Sequence, residues 1–291
     1  LVILLVLAGM PLFDSLCHAF GTAGTGGFSI KNISIGAYDN VGAEILITVF
    51  MFAFGTNFAL YYYAIKGNFK SFLKDGEYRL YLGIVLVSIL LIAIDLNGKV
   101  FGSIWESLRH SSFQVSSIIT TTGYSSTDFD LWPSFSKSIL VILMFIGASA
   151  GSTGGGIKVI RILLLLKSIR RRIVKIIHPR SVYTIKTGGK AVDEDMVAGV
   201  NTFFFAYILA FTLALLIVSL DGKDMVSNFT AVAATINNVG PGLGIVGPMG
   251  NFSSYSDISK AVFSFCMIAG RLEIYPMLLL LAPTFWKRAS I

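Results

Sequence analysis

Long apolar runs separated by short polar segments dominate the chain and predict membrane-spanning helices. A helix that crosses the hydrocarbon core of a bilayer needs about 20 apolar residues. Runs that approach or exceed this length occupy residues 41–65, 78–94, 203–220 and 258–283. Residues 137–150 and 157–177 form a further apolar span that is interrupted in its middle, and residues 1–9 resemble the end of another helix. The pattern therefore predicts an all-α integral membrane protein.

Composition supports this class and argues against a soluble domain or an enzyme. Hydrophobic residues make up 54% of the 291 residues and charged residues only 13%, whereas soluble domains carry about 25% charged residues. Two cysteines and three histidines are scattered without the spacing of a metal site or a catalytic group. We therefore expect no enzymatic activity, no cofactor and no nucleic-acid partner.

A glycine-bearing polar segment occurs three times, each time between a short helical stretch and a long apolar helix. The segments cover residues 25–29, 121–125 and 238–242, and the short stretches cover residues 12–20, 107–119 and 225–236. A short helix, a glycine turn and an exit helix form a re-entrant loop. Irregular backbone at membrane depth persists only where it lines a water-filled cavity or is buried in protein. Three such loops predict a pore lined by backbone carbonyls.

The glycine of each segment is predicted to take a positive φ, which glycine adopts without a Cβ clash. Gly27 is matched to Gly123 because an aromatic residue and a serine follow both, although Gly24 and Gly26 are alternative matches. Residues 121–124 resemble the filter sequence of potassium channels, although an ordinary turn also fits them when they are taken alone. The predicted ion-binding residues are Thr25, Gly26, Gly27, Thr121, Thr122, Gly123, Asn238, Val239 and Gly240.

The interrupted span contains five glycines between two apolar helices and is predicted to unwind. Each glycine in a helix interior costs about 1 kcal/mol relative to alanine, and the freed backbone groups then need a cavity or protein partners. Just below a filter, such a loop obstructs the path of an ion. Close helix packing through small residues is the alternative. The predicted gating glycines are Gly147, Gly151, Gly154, Gly155 and Gly156.

Arg271 lies inside the last apolar run, where a charged side chain usually faces a cavity or a partner. Its guanidinium is predicted to donate to freed carbonyls of the glycine-rich loop, or to repel cations on the pore axis, and so to complete the gate. In the alternative interpretation, Arg271 lies at a helix end and extends to the cytoplasmic interface.

Positive charge is concentrated in three segments, which predicts the orientation of the chain. Residues 66–79, 158–190 and 287–288 hold 16 of the 23 Lys and Arg residues. Because positive loops face the cytoplasm, these segments are predicted inside and the pore entrances outside. Residues 167–190 are predicted to dock a cytosolic partner or anionic lipid, with simple determination of topology as the alternative.

Residues 151–167, 237–244 and 270–274 together resemble the Trk-type potassium uptake proteins, the TrkH branch of the Trk/Ktr/HKT superfamily. The resemblance implies four pore-loop repeats around one potassium path, an intramembrane loop in the third repeat and a controlling arginine in the fourth. It divides the chain into residues 1–66 (second repeat, with its first helix truncated), 67–190 (third repeat) and 191–291 (fourth repeat). Since the first repeat is not in this pattern, we expect a fragment of a longer protein with an incomplete pore.

The resemblance also implies a multi-pass protein of the bacterial plasma (inner) membrane. It implies a homodimer that works with a cytosolic nucleotide-binding regulatory subunit. Potassium is the implied substrate, and it passes a filter with a single layer of glycines. Sodium or mixed sodium and potassium transport on the same fold is an alternative. A serine in place of a filter glycine would favour it, and glycine occupies all three filter positions of this sequence. A non-conducting membrane sensor is a further alternative.

Overall fold

The structure is a computed structural model that describes residues 1–181, 183–188, 190–272 and 274–281, and the regular secondary structure of these residues is almost entirely helical. In chain order the helices are α1 (Val2–Leu7), α2 (Leu12–Ala23), α3 (Val41–Phe54), α4 (Phe58–Ile65), α5 (Lys70–Lys74), α6 (Gly76–Leu96), α7 (Ile104–Ile119), α8 (Ser134–Ile146), α9 (Val159–Ile177), α10 (Glu194–Ser219), α11 (Met225–Ile236), α12 (Asp257–Leu272) and α13 (Ile274–Leu281). Single 3₁₀ turns cover Ser34–Tyr38, Phe129–Leu131 and Gly244–Val246. Two short strands, β1 (Lys186–Thr187) and β2 (Lys190–Ala191), pair antiparallel, with Lys186 opposite Ala191 and Thr187 opposite Lys190.

The same order of elements occurs three times: a short pore helix, a glycine turn and an exit helix. The pore helices are α2, α7 and α11, and the exit helices begin with α3, α8 and α12. Side chains cap two of the pore helices, because Ser103 accepts a hydrogen bond from the amide of Trp105 (3.2 Å) and Asp224 accepts one from the amide of Ser227 (2.9 Å). Such caps satisfy amides at the helix start that have no intrahelical partner.

Helices α6 and α10 are each long and apolar enough to cross a membrane by length and composition. Among the described residues, α3 (14 residues) and α4 (8 residues) are each too short to cross a membrane and qualify as a third span only when taken together. They bend by 92° at their junction. Large apolar side chains on α6 and α10 are exposed, including Leu90 (55%) and Leu216 (62%). Helices that are apolar around most of their surface belong in a protein core or in lipid, so these exposed faces fit lipid contact.

One predicted span is wrong as a continuous helix. Residues 41–65 divide into α3 and α4, and Asn57 starts α4 by accepting a hydrogen bond from the amide of Ala59 (2.9 Å). In residues 258–283, the described residues are helical in α12 and α13, while residues 273, 282 and 283 lie outside the described residues. The predicted interruption between residues 150 and 157 is present, since α8 ends at Ile146 and α9 begins at Val159.

The break between α3 and α4 has a physical cause that the apolar pattern does not reveal. The carbonyl of Gly55 accepts a hydrogen bond from the amide of Ser149 (3.0 Å), and the amide of Phe58 donates to the carbonyl of Gly151 (3.1 Å). The unwound backbone of one exit helix therefore pairs with the glycine-rich loop of the next. This pairing satisfies polar backbone groups that a membrane interior would leave without partners.

Two of the exit helices pack on the pore helix that follows in sequence: α3 packs on α7, and α8 packs on α11. In α7, Phe113 and Ile118 are fully buried, and in α11 the consecutive residues Ala231 to Ala234 are fully buried. Truncation of a large side chain such as Phe113 in a core of this kind costs about 3–5 kcal/mol. The packing brings the ends of the three pore helices together.

Candidate ion-conduction site

The three glycine turns (residues 25–27, 121–123 and 238–240) have the same backbone conformation. A residue with positive φ directly follows the helix cap, and a glycine with positive φ comes two residues later. The pairs are Thr25 (49°) and Gly27 (64°), Thr121 (56°) and Gly123 (87°), and Asn238 (57°) and Gly240 (106°). Gly24, an alternative match, instead caps α2 with φ −85°. The backbone therefore supports the alignment of Gly27 with Gly123 and Gly240.

Each turn also folds back on its own pore helix through one repeated hydrogen bond. The amide of the middle residue of the turn donates to a carbonyl five residues earlier in the chain. These bonds run from Gly26 to Gly21 (2.7 Å), from Thr122 to Ser117 (2.9 Å) and from Val239 to Ala234 (2.8 Å). Because this bond and the two positive φ values recur together, the turns are structurally equivalent although their sequences differ.

Neighbouring turns pack sideways against one another. A Cβ placed on Gly27 would lie 1.7 Å from the carbonyl oxygen of Thr122, and a Cβ placed on Gly123 would lie 2.1 Å from the carbonyl oxygen of Val239. Real Cβ atoms are not found at such distances, so both positions require glycine for space as well as for φ. No described heavy atom lies within 4 Å of the equivalent position on Gly240. The three turns therefore follow one another around a common axis.

Tyr124 joins the second turn to the pore helix of the first. Its side chain is fully buried, its hydroxyl donates to the carbonyl of His18 (3.2 Å), and its own carbonyl accepts from the hydroxyl of Ser117 (2.6 Å). A Cβ on Gly21 would lie 2.2 Å from the hydroxyl oxygen of Tyr124. The sequence analysis did not select Gly21, since an isolated glycine in a short helix has no signal of its own.

The glycine-rich loop (residues 147–156) is closed at its neck by glycine packing. Gly147 and Gly156 both have positive φ, 72° and 75°. A Cβ on Gly156 would lie 2.8 Å from the Cα atom of Gly147. Beside them the amide of Ile157 donates to the carbonyl of Phe145 (3.2 Å). The ends of α8 and α9 therefore approach as closely as glycine allows, and the residues between them form a compact loop.

The tip of the loop lies directly against the ends of all three pore helices. The hydroxyl of Thr25 donates to the carbonyl of Thr153 (2.9 Å), and the amide of Gly155 donates to the hydroxyl of Thr121 (2.6 Å). A Cβ on Gly155 would lie 2.5 Å from the carbonyl oxygen of Asn237. The loop therefore lies across the axis that the three turns share, on the side of the pore helices.

Gly151 and Gly154 are also fixed by close contacts. Gly151 has φ 68°, and a Cβ there would lie 3.0 Å from the side-chain oxygen of Asn57. A Cβ on Gly154 would lie 2.5 Å from the Cβ atom of Ala148. Every glycine predicted for the gate therefore lies in the loop or at its neck, and each has a close neighbour on at least one side.

Arg271 lies beside the loop but has a different partner from the one that the sequence predicted. Its guanidinium donates to the carbonyl of Gly24 (3.3 Å), at the end of α2. Within the described part of the chain, no hydrogen bond joins Arg271 to a carbonyl of the glycine-rich loop. The last carbonyls of a helix lack intrahelical partners and carry partial negative charge, so a guanidinium is favourable there.

Arg271 and the loop both line a cavity of about 370 Å³. The lining includes residues 151–156 together with Phe203 and Tyr207. The neighbouring Gly270 is needed for space, because a Cβ there would lie 1.9 Å from the carbonyl oxygen of Ile236. Gly270 therefore lets α12 approach the end of α11 and places Arg271 at the cavity wall.

Asp221 and Asp224 are two of the acidic residues in the segments on the predicted outer side. Hydrogen bonds from Ser227 hold the pKa of Asp224 below its usual range. Hydrogen bonds from Ser256 do the same for the pKa of Asp221. Both carboxylates are therefore ionised at neutral pH, and negative charge near a pore entrance raises the local concentration of cations. Glu44 does not contribute to such a field, because it is buried beside Arg109 (3.3 Å).

Comparison with known proteins identifies the family of this chain. The family described as TrkH, cation transport protein, matches residues 5–288. The chain belongs to the TrkH family. The family consists of transporters rather than enzymes, which confirms both the resemblance seen in the sequence and the expectation that the protein is not an enzyme.

Individual TrkH proteins match most of this chain. It is 39% identical over 282 residues to the Trk system potassium uptake protein TrkH of Salmonella typhimurium, covering 96% of this chain and 58% of that protein. It is 41% identical over 285 residues to the protein of the same name from Vibrio parahaemolyticus, covering 97% and 58%. The chain therefore spans about three fifths of the length of these relatives.

The fold is also that of a solved TrkH protein. The crystal structure of the potassium transporter TrkH from Vibrio parahaemolyticus superimposes with a TM-score of 0.91 at 40% identity, covering 98% of this chain and 61% of that one. The prediction of an all-α, multi-pass membrane protein is therefore confirmed.

Proposed function

We propose that this chain forms most of a potassium uptake path across the plasma membrane of a bacterium. The observation that carries the proposal is the sideways packing of three equivalent glycine turns around one axis. Such turns present backbone carbonyls that can replace the water around a cation. The names of the relatives, potassium uptake proteins, support potassium as the substrate.

The filter comprises the residues of the three turns. Carbonyl oxygens would be the ligands, and one layer of glycines would hold them in place. The proposed ion-binding residues are Thr25, Gly26, Gly27, Thr121, Thr122, Gly123, Asn238, Val239 and Gly240.

A fourth turn is proposed to close the ring at Gly240. Gly27 and Gly123 each pack against the turn that follows in sequence, whereas no described heavy atom lies within 4 Å of the equivalent position on Gly240. A loop that packed against Gly240 and presented its own glycine to the first turn would complete the same arrangement. On this proposal residues 1–66, 67–190 and 191–291 are three of four repeats, and these 291 residues alone should not conduct.

The glycine-rich loop is proposed to close the inner half of the path. It contacts the ends of all three pore helices, so an ion leaving the filter meets its backbone first. The proposed gating residues are Gly147, Gly151, Gly154, Gly155, Gly156 and Arg271. Arg271 would act by placing positive charge at the cavity beneath the filter, where it raises the barrier for a cation.

The basic segments are proposed to face the cytosol, and residues 167–190 to meet a regulatory partner there. A homodimer and a cytosolic nucleotide-binding subunit are the partners that the family resemblance implies. Lys186 in β1, whose side chain is exposed, and the basic end of α9 are the parts of this segment that such a subunit could contact.

Potassium and sodium flux through the reconstituted full-length protein tests the proposal. Gly123→Ser should lower the preference for potassium over sodium, because the added side chain meets the carbonyl of Val239. Gly83→Ser is the matched control, since Gly83 lies in α6 with no heavy atom within 4 Å of its Cβ position. Unchanged ion preference in Gly123→Ser would remove the filter assignment, and equal sodium and potassium flux in the unmodified protein would favour mixed transport.

A further inference from the structure

A buried carboxylate outside the filter holds both ends of the glycine-rich loop. One oxygen of Glu77, in the first turn of α6, accepts hydrogen bonds from the amide of Ala150 (2.6 Å) and from the amide of Ile160 (3.1 Å). Ala150 lies in the first arm of the loop, and Ile160 lies in the first turn of α9, just after the loop. Glu77 is 5% exposed. A single side chain from another helix therefore bridges the two sides of the loop.

Capping of α6 does not account for this arrangement. Asp75 already caps α6 by accepting a hydrogen bond from the amide of Tyr78 (2.7 Å). The neck of the loop is also closed without Glu77, by glycine packing and by backbone hydrogen bonds. Burial of a carboxylate is costly unless hydrogen bonds compensate it. The two amides that compensate Glu77 both belong to the loop and its continuation.

The two hydrogen bonds differ in what they constrain. Ile160 is part of a regular helix, and its amide is one of the first four in α9, which lack intrahelical partners. Ala150 belongs to irregular backbone that must move if the loop leaves the axis. Movement of the loop would therefore break the bond to Ala150 first, while the bond to Ile160 keeps the carboxylate attached to α9.

We propose that Glu77 is a positioning residue that latches the glycine-rich loop in its closed position and links it to α9. The proposal rests on the gating function proposed above for the loop. Because α9 continues into the basic residues 167–177, a displacement of α9 would reach the loop through Glu77. Hydrogen bonds to charged groups are roughly twice as strong as neutral ones, so the charge as well as the shape of the side chain contributes to the latch.

Basal potassium flux through the reconstituted full-length protein tests the latch. Glu77→Ala should raise flux about tenfold, which corresponds to the loss of one charge-assisted hydrogen bond from the closed state. Glu77→Gln keeps the shape and an acceptor oxygen, so it should raise flux less and remain folded. Asp75→Ala is the matched control, because it removes the cap of the same helix end without contacting the loop.

Two further variants separate this proposal from the gate on which it rests. A loop shortened within residues 151–155 should raise flux, and Glu77→Ala added to it should raise flux no further. Ser152→Cys should react faster with a membrane-impermeant thiol reagent when Glu77→Ala is also present, and at an unchanged rate with Asp75→Ala.

Wild-type flux in both Glu77 variants, together with raised flux in the shortened loop, would overturn the latch and leave the gate intact. Unchanged flux in the shortened loop would overturn both, and equal effects of Asp75→Ala and Glu77→Ala would mean general loosening of α6.

Discussion

The Cα atom of Gly123 packs so closely against the carbonyl oxygen of Val239 that a Cβ on Gly123 would lie 2.1 Å from it. The same relationship joins Gly27 to Thr122 in the preceding turn, at 1.7 Å. Glycine at these positions therefore has two causes, the positive φ and the neighbouring turn. At Gly240 only the positive φ applies, because no described heavy atom lies within 4 Å of its Cβ position. This difference between equivalent residues leads to a stability prediction.

Gly27→Ala and Gly123→Ala should destabilise the protein more than Gly240→Ala. The left-handed φ costs an L-residue about 1–2 kcal/mol at each position. Overpacking against the next turn adds about 1–3 kcal/mol at Gly27 and Gly123 only. Thermal unfolding of the purified full-length variants in detergent measures the difference, and Gly83→Ala serves as the control. Equal destabilisation of all three filter variants would mean that another part of the full-length protein packs on Gly240 just as closely.

Thr121→Val should raise basal potassium flux. The hydroxyl of Thr121 accepts the hydrogen bond from the amide of Gly155 at the tip of the loop (2.6 Å), and valine keeps the shape without the acceptor. A buried amide left without a partner costs about 1–3 kcal/mol, which disfavours the closed loop. Thr235→Val is the control, because that hydroxyl bonds only to carbonyls within its own pore helix. Wild-type flux in Thr121→Val would show that this contact does not hold the loop.

Much of this fold follows from the apolar pattern. The three pore helices begin and end within a few residues of the predicted bounds, because polar caps and glycine turns delimit them. The interruption between α8 and α9 could be predicted from the high cost of five glycines in one helix. The break between α3 and α4 could not be predicted, because a single glycine at Gly55 gives no such signal. The break is caused by hydrogen bonds to Ser149 and Gly151, far along the chain in the loop.

The sequence pointed to most of the glycines in the site but not to the contacts that they make. Gly270 and Gly21 matter through space that only the fold defines, and no local pattern marks them. The predicted partner of Arg271 was wrong. A guanidinium can donate either to loop carbonyls or to the last carbonyls of a helix, and in this fold the end of α2 lies beside it. The role of Glu77 could not be read from sequence, because its two amide partners are 73 and 83 residues away.

Arg271→Ala and shortening of the loop within residues 151–155 should each raise basal potassium flux. Arg271 and the loop line the same cavity, so removal of either should widen the same constriction. The double variant should therefore exceed the single variants only slightly. Arg271→Lys keeps the charge and should stay closer to the unmodified protein. A fall in flux in both single variants, in protein that still folds and inserts, would mean that these residues support the structure instead.

Neutralising Arg180, Lys186 and Lys190 should weaken binding of a cytosolic regulatory partner without reversing the topology. Lys186 and Lys190 lie in β1 and β2, and Arg180 lies between α9 and β1. Arg171 of α9 pairs with Glu194 (2.5 Å), so the run of residues 170–172 also has a structural role. The first variant therefore keeps this run. A pull-down with the full-length protein measures the binding, and neutral substitutions at Arg170 and Arg172 are the comparison. Binding that survives the first set would leave the segment with a topological role.

The location of a heavy monovalent cation in crystals of the full-length protein tests the central claim most directly. Thallium substitutes for potassium and its anomalous signal marks bound sites independently of any change in flux. We expect a peak on the axis between the turns at residues 25–27, 121–123 and 238–240, surrounded by their backbone carbonyls. The peak should weaken in Gly123→Ser and persist in Gly83→Ser. A protein that transports potassium but shows its thallium peaks away from these turns would contradict the account.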